Sequence, residues 1–206
     1  MAVSRSRVAM LAVATLAVAA CGKKDNNGVD TTATSSTTSS TDTSAMSASS
    51  TGATTANGNM SDANIFALLD EANTADSSAG AIAATKGTSS QVRDFAKRME
   101  RDHHQMRVQG QALAKKLNVT PSAPSDDPVQ SMASSETNTL NSTAKGKDFD
   151  KAYIDAEVDA HKAVLDLATK AAGQTQTAEL KNLIQKAAPV VQAHLTLAES
   201  IQKKLQ

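Results

Sequence analysis

Four predicted helices each carry an apolar stripe at three- and four-residue steps, and one polar side chain interrupts each stripe. These residues are Asp76, His103, His161 and His194. A buried histidine left without a partner costs about 1–3 kcal/mol, so three of them in one small core call for partners. Imidazole and carboxylate groups bind zinc, copper or iron. We therefore predict a site for one such ion, with Asp76 either as an oxygen ligand or as the acceptor that orients a histidine.

The same side chains also allow a metal-free alternative. They could form a buried hydrogen-bond network with Asp76 and Asp102, whose use would be structural specificity. On this alternative the protein is a structural or interaction module, and its function lies on the outer helix faces. In the metal hypothesis Asp102 is a group that orients a ligand and does not itself bind the ion.

The spacing argues against a carboxylate-bridged di-iron centre. Bundle proteins of that type carry a Glu-x-x-His motif on two helices, and this chain has it once, at Glu100 and His103. A valine stands three residues before both His161 and His194. Glu157, four residues before His161, is interpreted as part of an exposed surface pair. The sequence contains no phosphate loop or nucleophile elbow, and no catalytic residue is predicted.

The elements that position these residues are all predicted helices. Helical periodicity and capping signals predict four long helices and one short one. The long helices are predicted over 61–86, from a cap at 88–90 to about 117, from 145–148 to about 172, and over 177–205. The short helix is predicted over 129–142. No segment has the pattern of a strand. The predicted fold is an all-α, up-down four-helix bundle that spans 61–206, with a short connecting helix between long helices 2 and 3.

The amino-terminal 20 residues have the features of a signal peptide. Arg5 and Arg7 precede an apolar run that is too short to span a bilayer. The sequence VAAC at 18–21 resembles the lipobox of bacterial lipoproteins, in which the cysteine is lipidated and becomes the new amino terminus. Cys21 is the only cysteine in the chain. We expect a lipid-anchored protein of the bacterial envelope, facing the periplasm. If the host has two membranes, Gly22 in place of aspartate favours the outer one.

Residues 21–60 are predicted to be a disordered linker, because serine, threonine and other small polar residues leave too little apolar surface to bury. The chain has 21 basic and 21 acidic residues. Removal of the two signal-peptide arginines leaves 19 basic against 21 acidic, a net charge near −2. This charge offers no electrostatic footprint for nucleic acid. The expected partner is the membrane, which the chain contacts through the lipid on Cys21; a protein partner is not predicted.

Three segments resemble the signature segments of the bacterial envelope family called domain of unknown function 4142. They are MERDH at 99–103, FDKAYIDAEVDAHK at 149–162 and PVVQAHL at 189–195 followed by Ala198. The resemblance implies a ferritin-like helical bundle, secreted or lipid-anchored, with no established reaction. The family's first helix usually carries a glutamate where this chain has Asp76, which is a shorter carboxylate.

Overall fold

The computed structural model describes residues 59–206, which contain five α-helices and no strand. The helices are α1 (Asp62–Lys86), α2 (Ser90–Lys116), α3 (Pro128–Ser142), α4 (Lys147–Gln174) and α5 (Ala178–Leu205). Four are long and α3 is the short connecting helix, so the predicted all-α bundle is confirmed. The predictions for residues 1–58, which include Cys21 and the linker, lie outside the described residues.

Local sequence sets where the helices begin. Ser61 accepts a hydrogen bond from the backbone of Asn64, whose side chain bonds back to Ser61, and this capping box starts α1. The Asp127 side chain caps α3 by accepting from the backbones of Val129 and Gln130, and Pro128 occupies the first turn. The amino terminus of α2 is capped from another helix, because Asp150 of α4 accepts from the backbone of the turn that precedes α2.

The four long helices form a closed ring of contacts. Helix α1 packs on α2, α2 on α5, α5 on α4 and α4 back on α1, while α3 crosses α1 and α4. Small residues let α1 and α2 approach closely: a Cβ added at Gly80 would lie 2.6 Å from the carbonyl oxygen of Ala96. No helix within 59–206 is long and apolar enough to cross a membrane.

Two of the apolar clusters fill the interior of the ring. The larger contains Phe95, Met99, Phe149, Tyr153 and residues around them, all buried. The second lies around Ile65, Phe66, Leu180 and Ile184. The polar residues predicted as a site also lie in the interior, so the protein places them in an environment of low polarity.

Candidate metal centre

Three histidines from three helices meet in the core. His103 of α2, His161 of α4 and His194 of α5 are each 1–2% exposed. Their ring centroids are 5.2 Å apart for His103 and His194, 5.4 Å for His103 and His161, and 5.6 Å for His161 and His194. One ring nitrogen from each lies within 4.8 Å of the other two. The side chains are therefore close enough to share one ion.

Each imidazole donates one N–H to an acceptor. His103 Nδ1 lies 3.0 Å from Asn73 Oδ1 and 3.2 Å from Asp76 Oδ2. His161 Nδ1 lies 2.8 Å from the backbone oxygen of Glu157. His194 Nε2 lies 3.1 Å from Asp102 Oδ2. Because all these partners are acceptors, each bonded nitrogen carries the proton in the neutral ring, and the acceptors fix three tautomers.

The other nitrogen of each ring then carries a lone pair. His103 Nε2, His161 Nε2 and His194 Nδ1 are buried and have no hydrogen-bond partner among residues 59–206. Burial lowers the pKa of each histidine from 6.5 to about 4. The rings are therefore neutral near pH 7, which is the form that can bind a metal ion.

Asp76 lies beside this set but on its outer side. Its carboxylate faces His103 Nδ1. One ligand atom of Asp76 also lies within 4.8 Å of ligand atoms of Glu157 and His161, and these three residues form a second buried group. Burial raises the pKa of Asp76 to about 6, and the neighbouring His161 acts in the opposite direction. This position corresponds to the second of the two predicted roles for Asp76, an acceptor that orients a histidine.

Glu157 does not belong to an exposed surface pair, so that interpretation was wrong. Its side chain is fully buried, and its Oε2 lies 3.3 Å from His161 Nδ1. Helix α4 packs against α1, α3 and α5, so it buries a broad arc that includes the positions on both sides of the predicted stripe. The spacing of four residues from His161 was a signal, because it places both side chains on one helix face.

Two further polar groups near the centre were not predicted from the sequence. Glu136 of α3 is 8% exposed, and Tyr153 of α4 is fully buried. Glu136 lies between Val129 and Leu140 in the weak apolar pattern of α3, which is the signal that could have found it. Burial, followed by the charge of Asp76, raises the pKa of Glu136 to about 8 and that of Glu157 well above its usual 4.5.

The neighbours of His103 along α2 lie outside the centre. His104 is exposed, and so is Glu100, which has no place in the buried set. Met99 is fully buried in the larger apolar cluster. Asp102 is near the surface, with 25% of its side chain exposed, and it reaches His194 from there while it also pairs with Arg101.

A cavity of about 320 Å³ leads to the histidine set. Asp76, Asn73 and His103 form part of its wall, together with apolar residues that include Phe66 and Met106. Half-exposed residues of α1 and α2, among them Asp70 and Arg107, also line it. The cavity thus reaches the edge of the histidine set at His103.

The fold and the buried site define a ferritin-like helical bundle with a histidine centre. A family model described as "Domain of unknown function (DUF4142)" matches residues 45–201, and the chain belongs to this family. No curated protein sequence matches the chain significantly. Among solved structures, one titled "CopM in the Cu(II)-bound form" aligns with a TM-score of 0.59 and 12% sequence identity. The alignment covers 70% of this chain and 97% of that protein, and it supports the all-helical fold.

Proposed function

We propose that the protein binds one transition-metal ion through His103, His161 and His194, in a storage, buffering or stress-protection role. The observation that carries this proposal is the set of three buried nitrogen lone pairs that have no partner within the described part of the chain. A core that left them unpaired would lose about 1–3 kcal/mol for each. An ion bound by all three would satisfy them at once.

The surrounding acceptors support this proposal. Each ring donates from one nitrogen to a nearby acceptor. The acceptors are Asn73 and Asp76 for His103, the Glu157 backbone carbonyl for His161, and Asp102 for His194. Metal-binding histidines commonly have such partners, which fix the tautomer and raise the basicity of the ligand nitrogen. A purely structural network would instead pair the second nitrogen of each ring, which carries the lone pair, with a hydrogen-bond donor.

Three imidazoles suit zinc, copper or iron. The Cu(II)-bound state named for the similar bundle makes copper one ion to test. Three protein nitrogens leave at least one coordination position for water or a further ligand, which is the arrangement of an accessible site. The cavity beside His103 lies at the edge of this site.

The proposed place of action is the bacterial envelope. Lipidation at Cys21 would anchor the chain, and the segment 21–60 would hold the bundle away from the membrane. Labelling with a radioactive or clickable fatty acid tests this part separately, because a Cys21→Ala variant should lose the label. Label retained in that variant would contradict lipid attachment at this residue.

Metal content tests the metal proposal. The chain, purified without an affinity tag, is dialysed with zinc, copper or iron and washed, and its metal is measured by mass spectrometry. We expect one ion per chain in the wild type and a loss of at least tenfold in affinity in His194→Ala. His104→Ala is the matched control, because His104 is exposed, and it should keep the ion.

A rival function is favoured if no ion binds. The buried histidines and carboxyl groups would then be a hydrogen-bond network, and the helix surfaces would carry the function. In that case His161→Ala lowers the free energy of unfolding equally with and without a chelator. A destabilisation that depends on the chelator supports the metal site.

A further inference from the structure

The cavity beside the histidine set lies between two helix pairs of the bundle. Helix α1 packs extensively on α2, and α4 on α5, whereas the contacts between the two pairs are less extensive. The cavity has a volume of about 320 Å³, and all four long helices line it. This volume is within the range of about 300–1,000 Å³ that is typical of pockets for small organic molecules.

Small residues keep this space open. Each of the four long helices places alanine or glycine on the wall, and these residues include Ala72, Gly110, Ala114, Ala168 and Ala187. A Cβ added at Gly110 would meet nothing within 4 Å among the described residues. Protein interiors are normally filled by side chains to the density of an organic crystal, so this part of the bundle departs from ordinary core packing.

The wall of the cavity is mainly apolar, and its polar side chains pair with one another. At the outer end, Arg107 Nε lies 3.1 Å and 3.3 Å from the two carboxylate oxygens of Asp70, and Gln111 donates to Asp70 across 2.7 Å. At the inner end, the Asn73 side-chain oxygen accepts from His103. Arg107 is the one lysine or arginine on the wall among residues 59–206, and a carboxylate already neutralises it.

We propose that this cavity binds a neutral, largely apolar small molecule. Burial of apolar surface supplies the affinity, because most of the wall offers no polar partner. A negative charge on the ligand is disfavoured, since Arg107 is paired and the carboxyl group of Asp76 lies at the inner end. The site is distinct from the proposed metal centre, because His161 and His194 are not part of its wall.

Two other ways to fill the space fit the wall less well. Water molecules need two to four polar partners each, and a mainly apolar wall offers few. The segment 22–58 contains only two large apolar residues, Val29 and Met46, so it has little apolar surface to bury there. An apolar molecule from outside the chain matches the wall better than either.

N-Phenyl-1-naphthylamine is a suitable probe, because it is neutral and apolar and its fluorescence rises in an apolar environment. The full chain is titrated with this dye in the presence of a chelator, so that a bound ion does not quench the fluorescence. We expect one saturable site per chain. The matched anionic dye, 8-anilinonaphthalene-1-sulfonate, has the same rings with an added sulfonate and should bind more weakly by about tenfold or more.

A leucine in the cavity should block the dye. Gly110→Leu places a side chain in the open space and should weaken binding of the neutral dye by about tenfold or more. Gly173→Leu is the matched control and should bind like the wild type. Gly173 is exposed near the carboxyl end of α4, it is not on the wall, and a Cβ there meets nothing within 4 Å among the described residues. If Gly110→Leu does not fold, as judged by circular dichroism, Ala168→Leu takes its place.

Three results would overturn the proposal. They are the absence of saturable binding of the neutral dye to the folded wild type, equally tight binding by the folded leucine variant, and equally tight binding of the sulfonate. The leucine variant should keep its metal, because none of the three histidines is changed. A wild type that binds the dye but no metal would overturn only the metal centre, and one that binds metal but no dye would overturn only the apolar site.

Discussion

Asp102 of α2 accepts a hydrogen bond from His194 of α5 across 3.1 Å. The next residue along α2 is His103, whose ring belongs to the same triangle. One turn of α2 therefore supplies one histidine and the group that orients another. Through this pair, the packing of α2 on α5 determines which nitrogen of His194 is free to bind an ion.

We predict that Asp102→Ala weakens metal binding about 10- to 100-fold without changing the stoichiometry, because loss of an orienting partner commonly costs that much. Asp102→Asn keeps an oxygen acceptor and should lose less. Affinity is measured by competition with a chromophoric chelator. Asp94→Asn, exposed on the same helix, is the control and should match the wild type. Equal affinity in Asp102→Ala would show that this hydrogen bond does not position the ligand.

The close contact of α1 with α2 gives a prediction for stability. Gly80→Ala places a methyl group 2.6 Å from the Ala96 carbonyl oxygen and 2.8 Å from the Glu100 backbone nitrogen, so the helices must separate. We expect a loss of about 1–3 kcal/mol in the free energy of unfolding, measured by urea denaturation.

Gly110→Ala is the control for this substitution. A Cβ at Gly110 of α2 meets nothing within 4 Å among the described residues, and alanine favours a helix interior by about 1 kcal/mol. The Gly110 variant should therefore be as stable as the wild type or more stable. Two variants with the same effect would contradict a specific role for the contact at Gly80.

The metal-free protein should become less stable as the pH rises from 6.5 to 8. Folding lowers the pKa of the three histidines to about 4, so the stability that they contribute is lost as the pH falls through 6.5. Above pH 6.5 this contribution still rises, by about 0.4 kcal/mol for each ring, which is less than the loss from the buried glutamates. Folding raises the pKa of Glu136 to about 8 and that of Glu157 also upward. The native state keeps protons that the unfolded state has released. The free energy of unfolding therefore falls as the pH rises, by at most about 1.4 kcal/mol per pH unit for each of these two groups.

Urea denaturation with a chelator at pH 6.5 and pH 8 measures this difference. Glu136→Gln should reduce the slope, because the amide cannot ionise, whereas Glu179→Gln should keep it. Glu71, whose pKa is raised to about 7 by burial and by Asp127, acts in the same direction over part of the range. Stability that is constant or rising between these pH values would contradict buried, protonated glutamates.

Periodicity was sufficient to predict the helices and the residues that interrupt their stripes. His103, His161 and His194 each lie in an apolar row, and their positions in one layer of the core follow from helices of similar length that pack side by side. Glu157 could not be assigned in this way, because its burial depends on three neighbouring helices around α4. Glu136 depends on how α3 crosses the bundle, which a weak apolar pattern does not specify.

The tautomers of the histidines were also beyond the sequence. Asp102 was expected to orient a ligand, but its partner lies 92 residues away, and only the packing of α2 on α5 shows that this partner is His194. The acceptor for His161 is a backbone oxygen, which no residue type reveals. The three histidines could therefore be predicted from the sequence, but the nitrogen that each ring leaves free could be assigned only from the structure.

X-ray absorption spectroscopy of the protein loaded with one zinc or copper ion identifies the ligands of the proposed centre directly. We expect scattering from three imidazoles at metal–nitrogen distances of about 2.0–2.1 Å. His194→Ala should reduce the count to two, and His104→Ala should leave it at three. A spectrum of the bound ion that contains no imidazole scattering, or one that is the same in His194→Ala as in the wild type, would contradict a centre built from His103, His161 and His194.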